Sequence, residues 1–337
     1  MGGTHSLPAS VASVVLLLAC GNGSDGKIMG TMAASRASSF SAWSEPVSLG
    51  ATINTSSNDQ QATLSKDGLT LYFASNRPGS MPDATGARAL DIWVAHRADI
   101  EAPWGEPVNL GAPINTPLSE FAPALSRDEH WLFFGSTNRP GGFGSADIWA
   151  SWRDDVHDDF GWQEPVNLGS GINTPGFEGG PAYFENDELG VAELYYNHND
   201  QPVNAGGDIF VSAQAADGSW GQGVPVAELN STASDQRPSV NHSGLAIYIF
   251  SNRPGSMPDA TGALTTDIWV STRGSVLDPW STPTNVGPPI NSGLPEIHPF
   301  IFSHGRTEEL YFGRTVPGSG NDLFVSRRIR VGQSAGP

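Results

Sequence analysis

The chain has 337 residues, of which 40 are glycine and 26 are proline, and only 15% are charged. This balance favours a turn-rich domain with few long helices, and it differs from the composition of disordered chains. The formal net charge of −18 disfavours nucleic acid as a partner and direct binding to an anionic membrane face. Cations, cationic groups and neutral sugars remain compatible with this charge.

The N-terminal segment has features of an exported bacterial protein. Val11–Ala19 is an apolar run that is too short to span a bilayer. The single cysteine, Cys20, follows Leu17-Leu18-Ala19, and this sequence resembles a lipobox. We therefore expect a signal peptide over residues 1–20, lipid attachment at Cys20, a tether over residues 21–42 and a lipid-anchored location in the periplasm or outer membrane. No Lys or Arg precedes the apolar run, and ordinary secretion is the alternative.

One repeat of about sixty residues occurs five times. It begins with W-x-E-P-V-x-L-G, continues with L-S-x-D-G-x-x-L-Y-F-x-S-N-R-P-G and ends with D-I-W-V. The leading tryptophans are 58 to 61 residues apart: Trp43, Trp104, Trp162, Trp220 and Trp280. In the first copy the pattern predicts strands over residues 61–65, 69–75, 91–97 and 104–110. Four-stranded sheets in radial repetition are propeller blades, so the sequence predicts an all-β, five-bladed β-propeller of antiparallel blades.

The repeat can be compared with a known family. Ser65-Lys66-Asp67-Gly68, Ser75-Asn76-Arg77-Pro78-Gly79 and Asp91-Ile92-Trp93-Val94 resemble the WD-like repeat of TolB-type propellers. The resemblance covers residues 43–328 and leaves a tail over residues 329–337. Such propellers are scaffolds, ligand binders or enzymes, so the resemblance does not settle function.

The two ends of the repeat region complement each other. The last copy stops after its third strand, and a strand of the fourth type over residues 43–49 precedes the first complete copy. We expect this N-terminal strand to complete the last blade and to close the ring. Closure would remove exposed strand edges, which promote aggregation.

One acidic residue stands before the innermost strand of each copy. These residues are Asp59, Glu120, Glu178, Asp235 and Glu296. The loops after the second strand lie on the same face and contain Asn76, Arg77, Asn138, Arg139, Asn252, Arg253 and Arg314. Five carboxylates around one axis repel one another. We expect either a hard divalent cation such as Ca²⁺ bound by the acids, with the Asn and Arg side chains contacting a ligand, or structural pairing of the acids with the arginines.

Positions that depart from the repeat are better functional candidates than positions that follow it. The third copy replaces S-N-R-P-G with Asn197-His198-Asn199, and the fifth contains Glu296-Ile297-His298. Within reach of Glu178 and Glu296, His198 and His298 would suit general acid–base catalysis or metal binding. The alternative is that each histidine bonds to a neighbouring loop.

Two classes of function are compatible with these residues. The favoured one is a monomeric binding module that holds a small molecule, a carbohydrate or an envelope protein at the acidic face. The other is a hydrolase that uses the same funnel, either a glycoside hydrolase or a metal-dependent phosphoester or lactone hydrolase. Binding is favoured because no nucleophile elbow, P-loop, dinucleotide fingerprint or HExxH motif occurs.

Overall fold

The computed structural model describes residues 39–200 and 207–331, and every regular element in these ranges is a β-strand. The predicted signal peptide, Cys20 and most of the predicted tether lie outside the described residues. Within the described residues, no helix has the length and apolar character needed to cross a membrane.

The strands form antiparallel groups that follow the sequence repeat. The chain enters through β1 (Ser39–Phe40) and β2 (Val47–Ser48). The first group contains β3 (Asp59–Leu64), β4 (Thr70–Ser75), β5 (Asp91–His96) and β6 (Val108–Asn109). The second contains β7 (Glu120–Leu125), β8 (Trp131–Thr137), β9 (Ala146–Trp152) and β10 (Val166–Asn167).

The remaining groups have the same strand order. The third contains β11 (Phe177–Asn186), β12 (Val191–Asn199), β13 (Asp208–Ala213) and β14 (Val224–Pro225). The fourth contains β15 (Asp235–Val240), β16 (Ala246–Ser251), β17 (Asp267–Thr272) and β18 (Thr284–Asn285). The last contains β19 (Glu296–His304), β20 (Thr307–Val316) and β21 (Gly320–Val331). A parallel pair between Phe177 and Ala146 joins the second and third groups into one sheet.

The core lies between neighbouring groups. In β4, Leu71 and Phe73 pack into a buried cluster with Phe302 of the last group. Tyr72 points to the other face and packs with Phe134 of the second group. Apolar residues on both faces of the second strand therefore let each sheet bury both of its sides, as the sequence pattern predicts.

The N-terminal segment pairs with the last group. Val47 and Ser48 of β2 lie opposite Val325 and Phe324 of β21, and β1 pairs with the end of the same strand. The Arg328 guanidinium lies 4.4 Å from a ring centroid of Trp43. The equivalent contacts within single repeats measure 4.1 to 4.4 Å: Arg97 with Trp104, Arg153 with Trp162, and Arg273 with Trp280. The N-terminal segment thus supplies to the last group the tryptophan that, in the other repeats named here, packs against the arginine of the same repeat.

The innermost strands lie side by side around a common centre. Each contacts the next in the order β3, β7, β11, β15 and β19, and β19 in turn contacts β3. Four of these strands begin at the acidic residue of their repeat, and β11 begins one residue before it. The arrangement therefore places the five carboxylates at equivalent positions around the centre.

Several predicted strand boundaries are wrong. The outermost strands are short, so that only Val108–Asn109 pairs within the predicted strand 104–110, and only Val47–Ser48 pairs within 43–49. Pro107 precedes Val108 and has no N–H to donate to a ladder. At the chain ends, Ser39–Phe40 is a strand inside the predicted tether, and β21 continues to Val331 beyond the predicted start of the tail.

Candidate functional site

The acidic residues of the repeat are completely buried and accept hydrogen bonds from nearby donors. Asp59 Oδ2 accepts from the backbone N–H and the hydroxyl of Thr55 at 2.6 and 2.8 Å. Its Oδ1 accepts from the Ser75 hydroxyl at 2.5 Å and from Arg77 Nη2 at 2.7 Å. The other acids accept in the same way from the residue four positions earlier: Thr116, Thr174, Ser231 and Ser292. The acids were expected just before the innermost strand, and the structure places each at the first position of that buried strand, except that β11 begins one residue before Glu178.

The arginines of the repeat form structural ion pairs and hydrogen bonds within their own repeats. Arg253 Nε bonds to Asp235 at 3.1 Å, and its Nη2 donates to the Leu229 carbonyl at 2.6 Å. Arg314 bonds in the same way to Glu296 at 2.7 Å and to the carbonyl of Ile290 at 2.9 Å. Each arginine therefore links the start of its innermost strand to the preceding loop. Of the two sequence interpretations, arginine pairing is the one that these contacts support.

The second repeat makes a looser version of this pair. Arg139 Nη1 lies 3.8 Å from Glu120 Oε1 and instead donates to the Ile114 carbonyl at 2.9 Å. Burial raises the pKa of Glu120 to about 7, because the carboxyl is removed from water and its arginine is distant.

The asparagines predicted to contact a ligand stabilise loops. Asn76 Oδ1 accepts from the Asn58 N–H at 2.9 Å, and Asn252 Oδ1 accepts from the Ser234 N–H at 3.1 Å. Asn138 has a φ of 50°, in the left-handed region that asparagine tolerates. The side chains of Asn76 and Asn252, like the arginines, therefore have local structural partners, which does not support their prediction as ligand contacts.

No three His, Cys, Asp or Glu residues in ranges 39–200 and 207–331 lie close enough together to hold a metal ion. The reason is visible at the repeat acids, because each carboxylate is turned to the hydroxyl, N–H or guanidinium donors of its own repeat. Calcium binding by these acids stays a prediction without support from the described geometry.

The third repeat departs from the pattern in the contacts of its acid. Near the end of β12 and directly opposite the acid, His198 Nδ1 donates to Glu178 Oε1 at 2.6 Å, and His198 Nε2 donates to Asp200 Oδ1 at 2.9 Å. The Glu178 side chain is fully buried, the His198 side chain is 12% exposed and Asp200 is 85% exposed. A buried carboxylate, an imidazole and a surface carboxylate are thus connected in series. The predicted approach of His198 to Glu178 is confirmed.

These contacts imply a pH dependence. The hydrogen bond to Glu178 raises the pKa of His198. A raised folded-state pKa contributes stability that is fully present below the unfolded value, about 6.5, and is lost as pH rises through the folded value. We expect the stability difference between the wild type and His198→Asn to be largest at and below the unfolded value and to shrink as the pH rises through the folded value. Denaturation at several pH values checks this, and NMR titration should show the His198 pKa falling toward its ordinary value in Glu178→Gln. An unchanged pKa in that variant would contradict the assignment.

A second layer of residues lies two positions after each acid. These residues all have a positive φ of 51 to 64°: Gln61, Ala122, Gly180, Arg237 and His298. At Gly180 a Cβ would lie 2.4 Å from Asn197 Oδ1 and 2.5 Å from Arg237 Cδ, so only glycine leaves space for the arginine. The bulge in each innermost strand falls at this layer.

His298 and Arg237 are neighbours in this layer. His298 lies edge-on to Phe250 at 5.1 Å, and its Nδ1 is buried without a hydrogen-bond partner among the described residues. Burial lowers the pKa of His298 well below its ordinary value, and Arg237 lowers it further. Burial also lowers the pKa of Arg237 to about 9. Glu296 bonds to Ser292 and Arg314, and the predicted approach of His298 to it is not observed.

Arg237 was missed by sequence reasoning. The other repeats have Gln, Ala, Gly or His at this position, so the departure from the repeat was visible, but no motif indicated that the position faces the centre.

Solved glycosidase structures resemble this chain. No family model and no curated protein matches it. A thermostable family-43 glycoside hydrolase has a TM-score of 0.52 and 12% identity, and the match covers 84% of this chain and 94% of that enzyme. A GH43_1 enzyme from Xanthomonas citri complexed with xylotriose has a TM-score of 0.53 and 17% identity, with coverages of 86% and 90%. The α-L-arabinanase of Cellvibrio cellulosa complexed with arabinohexaose has a TM-score of 0.50 and 12% identity, with coverages of 81% and 91%.

At these identities the likeness shows the fold alone. It supports the predicted β-propeller and does not support membership of the WD-like, TolB-type family. The chain is therefore an all-β protein with the propeller fold found in glycoside hydrolases of family 43.

Proposed function

We propose that this protein is a carbohydrate-active, five-bladed propeller and that it hydrolyses a glycosidic bond. Over most of both chains, its fold matches that of an α-L-arabinanase and that of a GH43_1 enzyme complexed with xylotriose. A shared fold does not determine function. The proposal therefore depends on one observation about this chain. In the third repeat, His198 stands in the strand register where the first, second and fourth repeats have a serine, and Asp200 stands at the position of the arginine of the first and fourth repeats. His198 connects the buried Glu178 to the exposed Asp200.

This cluster supplies groups for acid–base chemistry. The hydrogen bond to Glu178 raises the pKa of His198 and favours its charged form. In that form Nε2, which now donates to Asp200, would pass its proton to a leaving sugar oxygen that takes the place of the Asp200 carboxylate. Asp200 is exposed and can accept a proton from water. Glu178 is buried and holds the imidazole in one orientation. In the other repeats, the corresponding acid is paired with arginine and is fully buried.

The second candidate is oligosaccharide binding without hydrolysis. The burial and pairing of Asp59, Glu120, Asp235 and Glu296 favour it, because glycosidases need two carboxyl groups that reach the scissile bond. Lipid anchoring through Cys20 and calcium binding remain predictions on which neither candidate depends.

The test is a hydrolysis assay on arabinan, xylan and nitrophenyl α-L-arabinofuranoside and β-D-xyloside. We expect His198→Asn to reduce kcat about 10²- to 10⁴-fold, as for other general acid–base groups. Asp83→Asn is the control, because Asp83 is a partly exposed acid that accepts hydrogen bonds within its own turn. Calorimetric binding of oligosaccharides without hydrolysis would favour the second candidate, and neither binding nor hydrolysis would contradict both.

A further inference from the structure

A cavity of about 460 Å³ opens between the second and third strand groups. We call it the lateral cavity. It is distinct from the His198 cluster, since neither His198, Glu178 nor Asp200 lines it. Its walls include the aromatic rings of Trp131 and Phe133 from β8, Tyr183 from β11, and Trp220.

The lateral cavity lies where the third repeat lacks the arginine that covers the leading tryptophan in the other groups. In the other groups, an arginine lies 4.1 to 4.4 Å over the leading tryptophan, as Arg153 does over Trp162. The third repeat has Gln214 at the arginine position, and this amide donates to the Gly218 carbonyl at 3.1 Å instead. Trp220 is therefore not covered by a guanidinium and remains partly exposed at the cavity.

A second departure from the repeat enlarges the aromatic wall. Trp131 stands where the first and fourth repeats have Thr70 and Ala246, and it is 36% exposed. Trp131 lies edge-on to Trp152 at a centroid distance of 5.2 Å, which holds the ring in place.

The polar groups of the cavity are acceptors and amides. Asp128 and Asp217 each use Oδ1 for hydrogen bonds within their own turns, so Oδ2 can accept from a ligand. Gln214 and Asn167 add amide groups, and no Lys, Arg or His is among the described residues that line the cavity. This charge pattern disfavours phosphate, sulfate and carboxylate ligands.

We propose that the lateral cavity is a binding subsite for a neutral oligosaccharide. The apolar C–H face of a sugar ring packs on the face of an indole, which is the negative part of the ring quadrupole. The sugar hydroxyls can donate hydrogen bonds to carboxylate oxygens. The choice of a sugar rests on the proposed carbohydrate activity, although the cavity does not take part in hydrolysis.

A quaternary ammonium ligand is the competing chemistry, because aromatic rings and acids also bind cations. The ring geometry favours the sugar. Phe133 is stacked on Tyr183 at 5.3 Å and 14°, and it meets Trp220 edge-on at 6.1 Å. These three rings contact one another and form one side of the cavity. In an ammonium-binding cage, the aromatic rings instead surround a central cation.

The deciding variant is Gln214→Arg, which restores the side chain of the other repeats. The new guanidinium should stack on Trp220 and occupy the cavity. We expect xylotriose or arabinohexaose to change the tryptophan fluorescence of the wild type, and we expect affinity to fall about tenfold or more in Gln214→Arg. The melting temperature should not fall, because the same arginine–tryptophan contact is already used in the other groups.

Controls separate this subsite from the His198 cluster. Gln163→Arg adds the same charge at an exposed position that does not line the cavity, and should bind the sugars as the wild type does. His198→Asn should lose hydrolysis and keep the fluorescence response, so that failure of the proposed function and failure of the subsite are distinguishable. Trp220→Ala should lose the response. Equal affinity in Gln214→Arg and wild type, no response to either sugar, or tighter binding of choline would each overturn the proposal.

Discussion

Replacing Arg253 with methionine is expected to lower the free energy of unfolding by about 3–5 kcal/mol, the usual cost of removing one partner of a buried ion pair. Asp235 is completely buried and takes two hydrogen bonds from Arg253. Methionine keeps much of the packing volume but leaves this carboxylate without its counter-charge. It also leaves the Leu229 carbonyl without a donor. Chemical denaturation monitored by tryptophan fluorescence measures the difference.

Arg127→Met is the matched control. Arg127 pairs with Asp187 at 2.9 Å, but the two side chains are 40% and 76% exposed. Exposed pairs contribute about 0.2–1 kcal/mol, because water and salt screen them. A loss of similar size in both variants would mean that the repeat arginines do not act as buried counter-ions, and the architectural assignment of the ring of acids would then be wrong.

The sequence predicted the strands well because their pattern is local. Alternating apolar residues around an Asp-Gly turn define the first two strands of a repeat, and the pairing of β3 with β4 follows from that turn. The outermost strands were predicted too long, because a W-x-E-P-V segment looks extended whether or not it pairs. In the structure Trp104 packs under Arg97, and only Val108–Asn109 forms a ladder.

The site was predicted less well, since a sequence does not show which way a side chain turns. The acids were identified, but their burial was not, because their hydroxyl donors lie four residues upstream, in N-T/S-x-x-x-D/E segments that have the composition of ordinary loops. The contact of His198 with Glu178 was predictable, because the break in the third repeat was visible and the two residues pair across adjacent strands. Arg237 and Gln214 also depart from the repeat. Their environments could not be predicted, because the residues around them belong to neighbouring repeats.

Deleting residues 43–49 is expected to abolish a single cooperative unfolding transition. The deletion removes β2, whose Val47 and Ser48 pair with β21, and it removes the Trp43 ring over which Arg328 lies. The edge of β21 would then be open to other chains, and unpaired edges promote aggregation. Deletion of the 43–49 segment should therefore lower the denaturation midpoint and produce a broadened transition or concentration-dependent scattering.

Trp43→Ala provides a graded version of the same test. Truncating a packed tryptophan costs about 3–5 kcal/mol, and the partly buried Trp43 packs against the cluster that contains Phe312 and Ile301. Deleting residues 21–27, seven residues of the predicted tether, is the length-matched control and should leave the midpoint unchanged. If the 43–49 deletion unfolds with the midpoint and slope of the full chain, the N-terminal strand does not hold the last group, and the first and last groups must be held together by the contacts of β3 with β19, β20 and β21 alone.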